Sequence, residues 1–250
     1  MRRQFLNFMK IQSIPAIVLF ILYSMALIIF VNYANHSSLV YYPIEPYIWG
    51  AKTLDFFFPI IVGLPFALFT YFLRKDYFLT YTQLRMKKEK YLFTFFLATS
   101  VCCFLTVFLV NYLGVVFSVK TAHLTNDPYI HPLANYFLGN WQMIHPLLFG
   151  LIWSFIKAIV GVTICLFAQI WIFFVDNLFL GLLAPFTYVV LENFVTAILQ
   201  IPHFSLTSLI VLNRLAPGII TPIHLLTIYG IFCLVIVSCF YILRKWQNES

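Results

Sequence analysis

Two ionisable residues stand inside apolar runs: Lys157 within Leu147–Phe174 and Glu192 within Leu178–Leu199. A charge at membrane depth is costly, so such residues normally face a partner or a polar cavity. At 1.5 Å per helical residue, Lys157 lies about 15 Å from Leu147 and Glu192 about 10 Å from Leu199. Only Val175, Asp176 and Asn177 separate the two runs, which makes their helices antiparallel neighbours. A lysine can snorkel across the remaining ~5 Å. The expectation is therefore a Lys157–Glu192 ion pair that pins two helices within one subunit. Asn111, Gln169 and Asn193 can extend that polar network or bond across helices on their own.

Other residue types with chemical potential form no site. His123, His131 and His145 share one segment with Asp127, and imidazole with carboxylate suits zinc or copper. Their spacings of 8 and 14 match no compact ligand pattern, and no metal is expected. The five cysteines, Cys102, Cys103, Cys165, Cys233 and Cys239, all lie in apolar runs and read as small core residues. There is no G-x-x-x-x-G-K-[ST] to cradle nucleotide phosphates, no H-E-x-x-H and no G-x-S-x-G. Glu192 and Asp176 fall at opposite ends of one run, so they are not a carboxylate pair. The chain is not expected to be an enzyme or to hold a cofactor. Active transport would draw its energy from another chain or from an ion gradient.

The elements that position these residues follow from composition. Of 250 residues, 62% are hydrophobic and only 9% charged, and mean hydropathy is +0.94. Soluble domains carry about 25% charge, so a soluble enzyme, a disordered chain and a coiled coil are excluded. The fold class is an all-α integral membrane protein whose solvent is the lipid bilayer. Six runs are long enough to span: about 14–33, 56–73, 91–117, 147–174, 178–199 and 223–243, in a single domain. The net charge of +7 invites a nucleic-acid reading, but the basic residues flank apolar runs, and topology explains them better. With the N-terminus inside, eleven Lys and Arg fall on the inner side and three (Lys52, Lys120 and Arg214) on the outer side. Both termini are then expected in the cytoplasm, with 34–55, 118–146 and 200–222 as outer segments.

Two inner segments carry more pattern than topology requires. At the N-terminus, Phe5, Phe8 and Met9 share one helical face and Arg3, Asn7 and Lys10 the other. This predicts an interfacial amphipathic helix that turns into the first span at Pro15. Between the second and third spans, Asp76, Thr80, Gln83 and Lys87 form a polar stripe beside Tyr77, Tyr81 and Leu84. That spacing predicts a short helix along the membrane, offering Tyr81 and Leu84 to a cytoplasmic partner.

The stretch Thr82-Gln83-Leu84-Arg85-Met86-Lys87-Lys88-Glu89-Lys90-Tyr91-Leu92 resembles the loop before the third span in type-2 ATP-binding-cassette (ABC) transporter permeases of Gram-positive bacteria. The six-span plan, the N-terminal helix, the tight inner turn before span five and Pro185 early in that span are similar as well. Asp76 alone stands for the acidic residue frequent early in that family's loop. The resemblance implies a permease that pairs with a second copy or a paralogue. Two cytoplasmic ATPase subunits would then dock on a coupling helix carrying Tyr77, Tyr81, Leu84 and Arg85. It implies an exporter in the cell membrane, and the aromatic-rich spans suit a peptide or lipid-like cargo. The alternatives are a secondary transporter, for which Pro59, Gly63 and Pro65 interrupt span two without a counterpart in the other half, and a non-transporting scaffold or sensor subunit.

Overall fold

The computed structural model describes residues 2–75, 88–125, 132–174, 177–215 and 218–249. Its long elements are α1 (Arg2–Ser37), α2 (Glu45–Phe56), α3 (Phe58–Lys75), α4 (Lys88–Thr121), α6 (Pro146–Phe174), α7 (Leu178–Ile198) and α9 (Pro222–Glu249). Two short helices, α5 (Gly139–Ile144) and α8 (Thr207–Ile210), lie between them, and the described residues contain no strand. Six helices are long and apolar enough to cross a membrane: Phe5–Ser37, Phe58–Lys75, Lys90–Thr121, Pro146–Phe173, Gly181–Ile198 and Pro222–Tyr241. The protein is an all-α, multi-pass membrane protein. In lipid, helices are the open structures that satisfy every backbone polar group internally.

The bundle has a proximal end, where α1 begins, and a distal end, where it finishes. α1 and α4 run side by side in the same direction. Phe8 meets Tyr91 and Phe95 at the proximal end, Tyr23 meets Asn111 in the middle, and Asn35 donates to the Thr121 carbonyl at the distal end. α6 returns between α3 and α4, and Gly161 stands against Phe58 and Val107. It is the most enclosed span, whereas α7 and α9 bury little of their surface and leave most of it to lipid.

Two segments depart from expectation. The N-terminal residues are not a separate interfacial helix: α1 continues through Pro15 as one element of 36 residues, about 54 Å at 1.5 Å per residue. The expected apolar face exists, but Phe8 packs on the aromatic rings of α4 and so forms part of the bundle. The second departure is α2. The segment read as an outer loop is a 12-residue helix packed into the distal half of the bundle. Ile44, Tyr47, Ile48, Ala51, Leu54 and Phe58 recur at helical spacing and are all buried, while Trp49, Lys52, Thr53 and Phe56 face outward. Gly50 allows the approach: a Cβ there would lie 2.7 Å from the Val31 backbone. Only Phe57 separates α2 from α3, so the second crossing is a broken helix about 45 Å long, from Glu45 to Lys75. The proposed coupling residues Tyr77, Tyr81, Leu84 and Arg85 lie outside the described residues.

Candidate functional site

The break in the second crossing is written in the sequence around Asp55-Phe56-Phe57-Phe58-Pro59. Proline has no N–H, so Pro59 cannot close a helical bond onto the Asp55 carbonyl. The chain passes through Phe57 at φ −92° and ψ 4°, with the Phe57 amide donating to the Leu54 carbonyl at 3.0 Å. α3 restarts on the Phe57 carbonyl, which accepts from Ile60 at 3.0 Å and Ile61 at 2.9 Å. A helix that ends inside a bundle leaves carbonyls and a partial negative charge at its C-terminus.

Lys157 of α6 reaches that end. Its ammonium is hydrogen-bonded and ion-paired to Asp55 Oδ1 and lies 5.4 Å from the centre of the Phe58 ring. Lys157 is 0% exposed and Asp55 2%, so the charges are shut off from any solvent. A second layer surrounds them. Tyr23 of α1 and Tyr47 of α2 donate their hydroxyls to Asn111 Oδ1 of α4 at 3.3 and 3.0 Å. The Asn111 amide donates in turn to the Val107 carbonyl at 2.8 Å. Four helices thus converge on one buried cation, and Ser118 fixes α2 by accepting from the Tyr47 amide at 3.1 Å and donating to the Pro43 carbonyl at 2.8 Å.

Lys157 therefore does not pair with Glu192. Sequence adjacency made α6 and α7 neighbours, but Lys157 points into the enclosed core while Glu192 lies on a half-buried face of α7. The Glu192 carboxylate accepts from the Leu206 amide at 3.0 and 3.1 Å and from Ser205 Oγ at 3.1 Å. Beside it Asn193 Oδ1 accepts from Arg214 Nη2 at 2.6 Å and from Thr207 Oγ1 at 3.1 Å, and Arg214 Nη1 also reaches Thr207 Oγ1. Burial pulls the Arg214 guanidinium below its ordinary pKa, and the Glu192 charge works against that shift. This second cluster folds the distal segment back onto the bundle, where Leu206, Leu209, Ile210 and Leu212 are buried. The amides of Gln142 and Asn213 pair with each other at its edge. A distal cavity lined by Phe137, Trp153, Leu212, Asn213 and Leu225, among others, includes neither the Lys157–Asp55 pair nor Glu192 and Arg214 in its lining.

Comparisons with family models, with curated proteins and with solved structures find no match.

The three amides anticipated as helix-bridging groups separate by location. Asn111 joins the Lys157 cluster, Asn193 joins the Arg214 cluster, and Gln169 bonds Thr70 Oγ1 at 3.0 Å and Thr99 Oγ1 at 3.3 Å. The residue that sequence reasoning missed is Asp55. Its signal was present: Asp55 occupies a position on the buried stripe of α2 where an apolar residue would be expected. Four of the six histidines form two ring pairs, His36 with His123 at 5.6 Å and His203 with His224 at 5.1 Å. Among the described residues no three His, Cys, Asp or Glu gather as a metal site. Cys102, Cys103 and Cys165 are buried free thiols.

Proposed function

We propose that this chain is the membrane-spanning permease subunit of an ATP-driven exporter, powered by a separate cytoplasmic ATPase that acts through residues 76–87. The observation that carries the reading is the break in the second crossing, set against a buried cation. Residues 76–87 follow α3 directly, α3 is the proximal half of a broken helix, and the break sits against a buried cation on α6. A displacement of the proximal segment is thereby delivered to a hinge with two charged sides. Arg74, at the root of that segment, donates to the Ile172 carbonyl of α6 at 2.6 Å and ties the same two helices at their proximal ends. Passive scaffolds have no need of a desolvated ion pair at a helix break, since well-packed apolar residues are often as stable or more so.

The basic residues at the proximal end support a cell-membrane protein with both termini in the cytoplasm. The resemblance of Thr82–Leu92 to type-2 ABC permeases supports export and a second permease copy or paralogue, and the aromatic-rich spans suit a peptide or lipid-like cargo. Tyr77, Tyr81, Leu84 and Arg85 are the docking residues on this reading. Co-purification from native membranes tests it. The wild type should retain an ABC ATPase, and Tyr81→Ala with Leu84→Ala should release it at unchanged permease yield, because anchor residues contribute about 2 kcal/mol or more each. If no ATPase accompanies the wild type, the reading fails.

A second reading is favoured by the helix break itself, since broken spans at mid-bundle are characteristic of ion-coupled secondary transporters. In α7, however, Pro185 is contained in a continuous helix, so the second half supplies no matching break. Transport by reconstituted permease alone, driven by an ion gradient without ATP, would select that reading.

A further inference from the structure

The proximal third of the bundle contains a different and incomplete polar cluster. Phe95 of α4 touches Phe8 of α1 and Phe173 of α6, both with ring centres 5.7 Å away. α1 and α4 run away from the proximal end and α6 runs toward it. One helical turn distal of this aromatic layer therefore places Gln12 on α1, Thr99 on α4 and Gln169 on α6 at one level. Gln169 Nε2 donates to Thr99 and, at the same level, to Thr70 of α3. Each threonine hydroxyl gives its proton to its own helix: Thr70 to the Phe66 carbonyl at 2.7 Å, Thr99 to the Phe95 carbonyl at 3.2 Å.

The proteinaceous partners end there. Gln12 is 0% exposed, and neither its Nε2 nor its Oε1 has a hydrogen-bond partner. Gln169, also 0% exposed, leaves Oε1 unpaired. Burying an amide without partners is costly, and buried polar groups in native proteins are rarely left so. The unmet demand has a definite composition: one N–H₂ donor and two carbonyl acceptors. No carboxylate is among the four side chains, so a cation bound there would have no counter-charge. A water molecule both donates and accepts, and buried waters typically make about three hydrogen bonds.

We propose that Gln12, Thr70, Thr99 and Gln169 form an internal water-binding site, closed on the proximal side by the Phe8–Phe95–Phe173 layer. Water there supplies donors to Gln12 Oε1 and Gln169 Oε1 and an acceptor to Gln12 Nε2. This stands independently of the transport reading; if that reading holds, the site is a hydrated step within the bundle, behind an aromatic gate.

The test is nuclear magnetic resonance of the full-length protein, labelled with ¹⁵N on glutamine side chains, in deuterated detergent. Magnetisation transfer from long-lived water to the Gln12 side-chain amide is the expected result. The resonance is assigned by its loss in Gln12→Met or, if that variant does not accumulate, by its loss in the conservative Gln12→Asn. No transfer to Gln12 overturns the proposal. Thermal stability adds an independent sign. A dry, unpaired amide makes Gln12→Met raise Tm, which also overturns it, whereas loss of a hydrated network lowers Tm by about 2–4 °C or more.

Discussion

Replacing Lys157 by methionine keeps most of the side-chain volume and removes the cation. The Asp55 carboxylate is then left 2% exposed between Phe58 and the tyrosine pair, with its one ion-pair partner gone. Removing one partner of a buried ion pair costs about 3–5 kcal/mol, whereas replacing both by apolar or neutral groups is often near neutral. For a chain of this size about 1 kcal/mol moves Tm by roughly 2–4 °C. Lys157→Met and Asp55→Asn should therefore each lower Tm by about 6–20 °C, and the double variant should recover most of that loss. The assay is thermal unfolding in detergent, followed by loss of the monodisperse peak, with Lys157→Met plus Glu192→Gln as the control cycle. Purely additive losses for Lys157 and Asp55 would refute the pairing. Recovery with Glu192→Gln instead would restore the pairing expected from chain adjacency.

Gly50→Ala sets a Cβ 2.7 Å from the Val31 backbone, so α2 must move away from α1; overpacking of this kind costs about 1–3 kcal/mol. Gly230→Ala, with nothing within 4 Å, should leave Tm within about 1–2 °C of wild type, and the contrast is read in one melting experiment. Glu192→Ala frees the Leu206 amide and leaves Ser205 only its contacts to Asn193 and Thr207, so residues 199–215 should be cleaved by added protease several times faster than in wild type. Unchanged cleavage would show that the Arg214–Asn193 contacts alone hold the distal segment.

The spans were legible because a bilayer imposes length and apolarity on every crossing, and five of the six expected boundaries fall within a few residues of the helices. The first extends further at its proximal end because Phe8 has a protein surface to pack on. The Lys157–Glu192 pairing was not legible, since order along the chain makes two helices neighbours without fixing which faces meet. Lys157 sits on the face of α6 that meets α2 and α3, and a partner from either was equally compatible with its position in the sequence. Glu192 had a local partner in the Leu206 amide, a backbone group that no side-chain pattern reveals.

Segment 45–56 was obscured for a more general reason. Hydropathy reads a membrane helix by its average, and Glu45, Lys52 and Asp55 depress the average of a helix whose buried stripe is continuous. Each charge has a separate physical explanation. Glu45 accepts from the Tyr41 and Tyr42 amides at 2.6 and 3.2 Å and satisfies the backbone just ahead of the helix, Lys52 lies 5.5 Å from the Trp49 ring on the outward face, and Asp55 is neutralised by Lys157. Periodicity isolates the last of these: only Asp55 is an internal member of the stripe running from Ile44 to Phe58, and its carbonyl alone loses its helical donor to a proline four residues on, Pro59. A carboxylate on the buried face of a helix, next to a backbone break, requires a cation from elsewhere in the bundle. In this sequence Lys157 is the one Lys or Arg deep inside a span; Lys10, Arg74, Lys75, Lys90 and Lys120 lie toward span ends. The pairing thus follows from the helical period of residues 44–58 together with the scarcity of intramembrane cations, once those residues are read as part of the bundle.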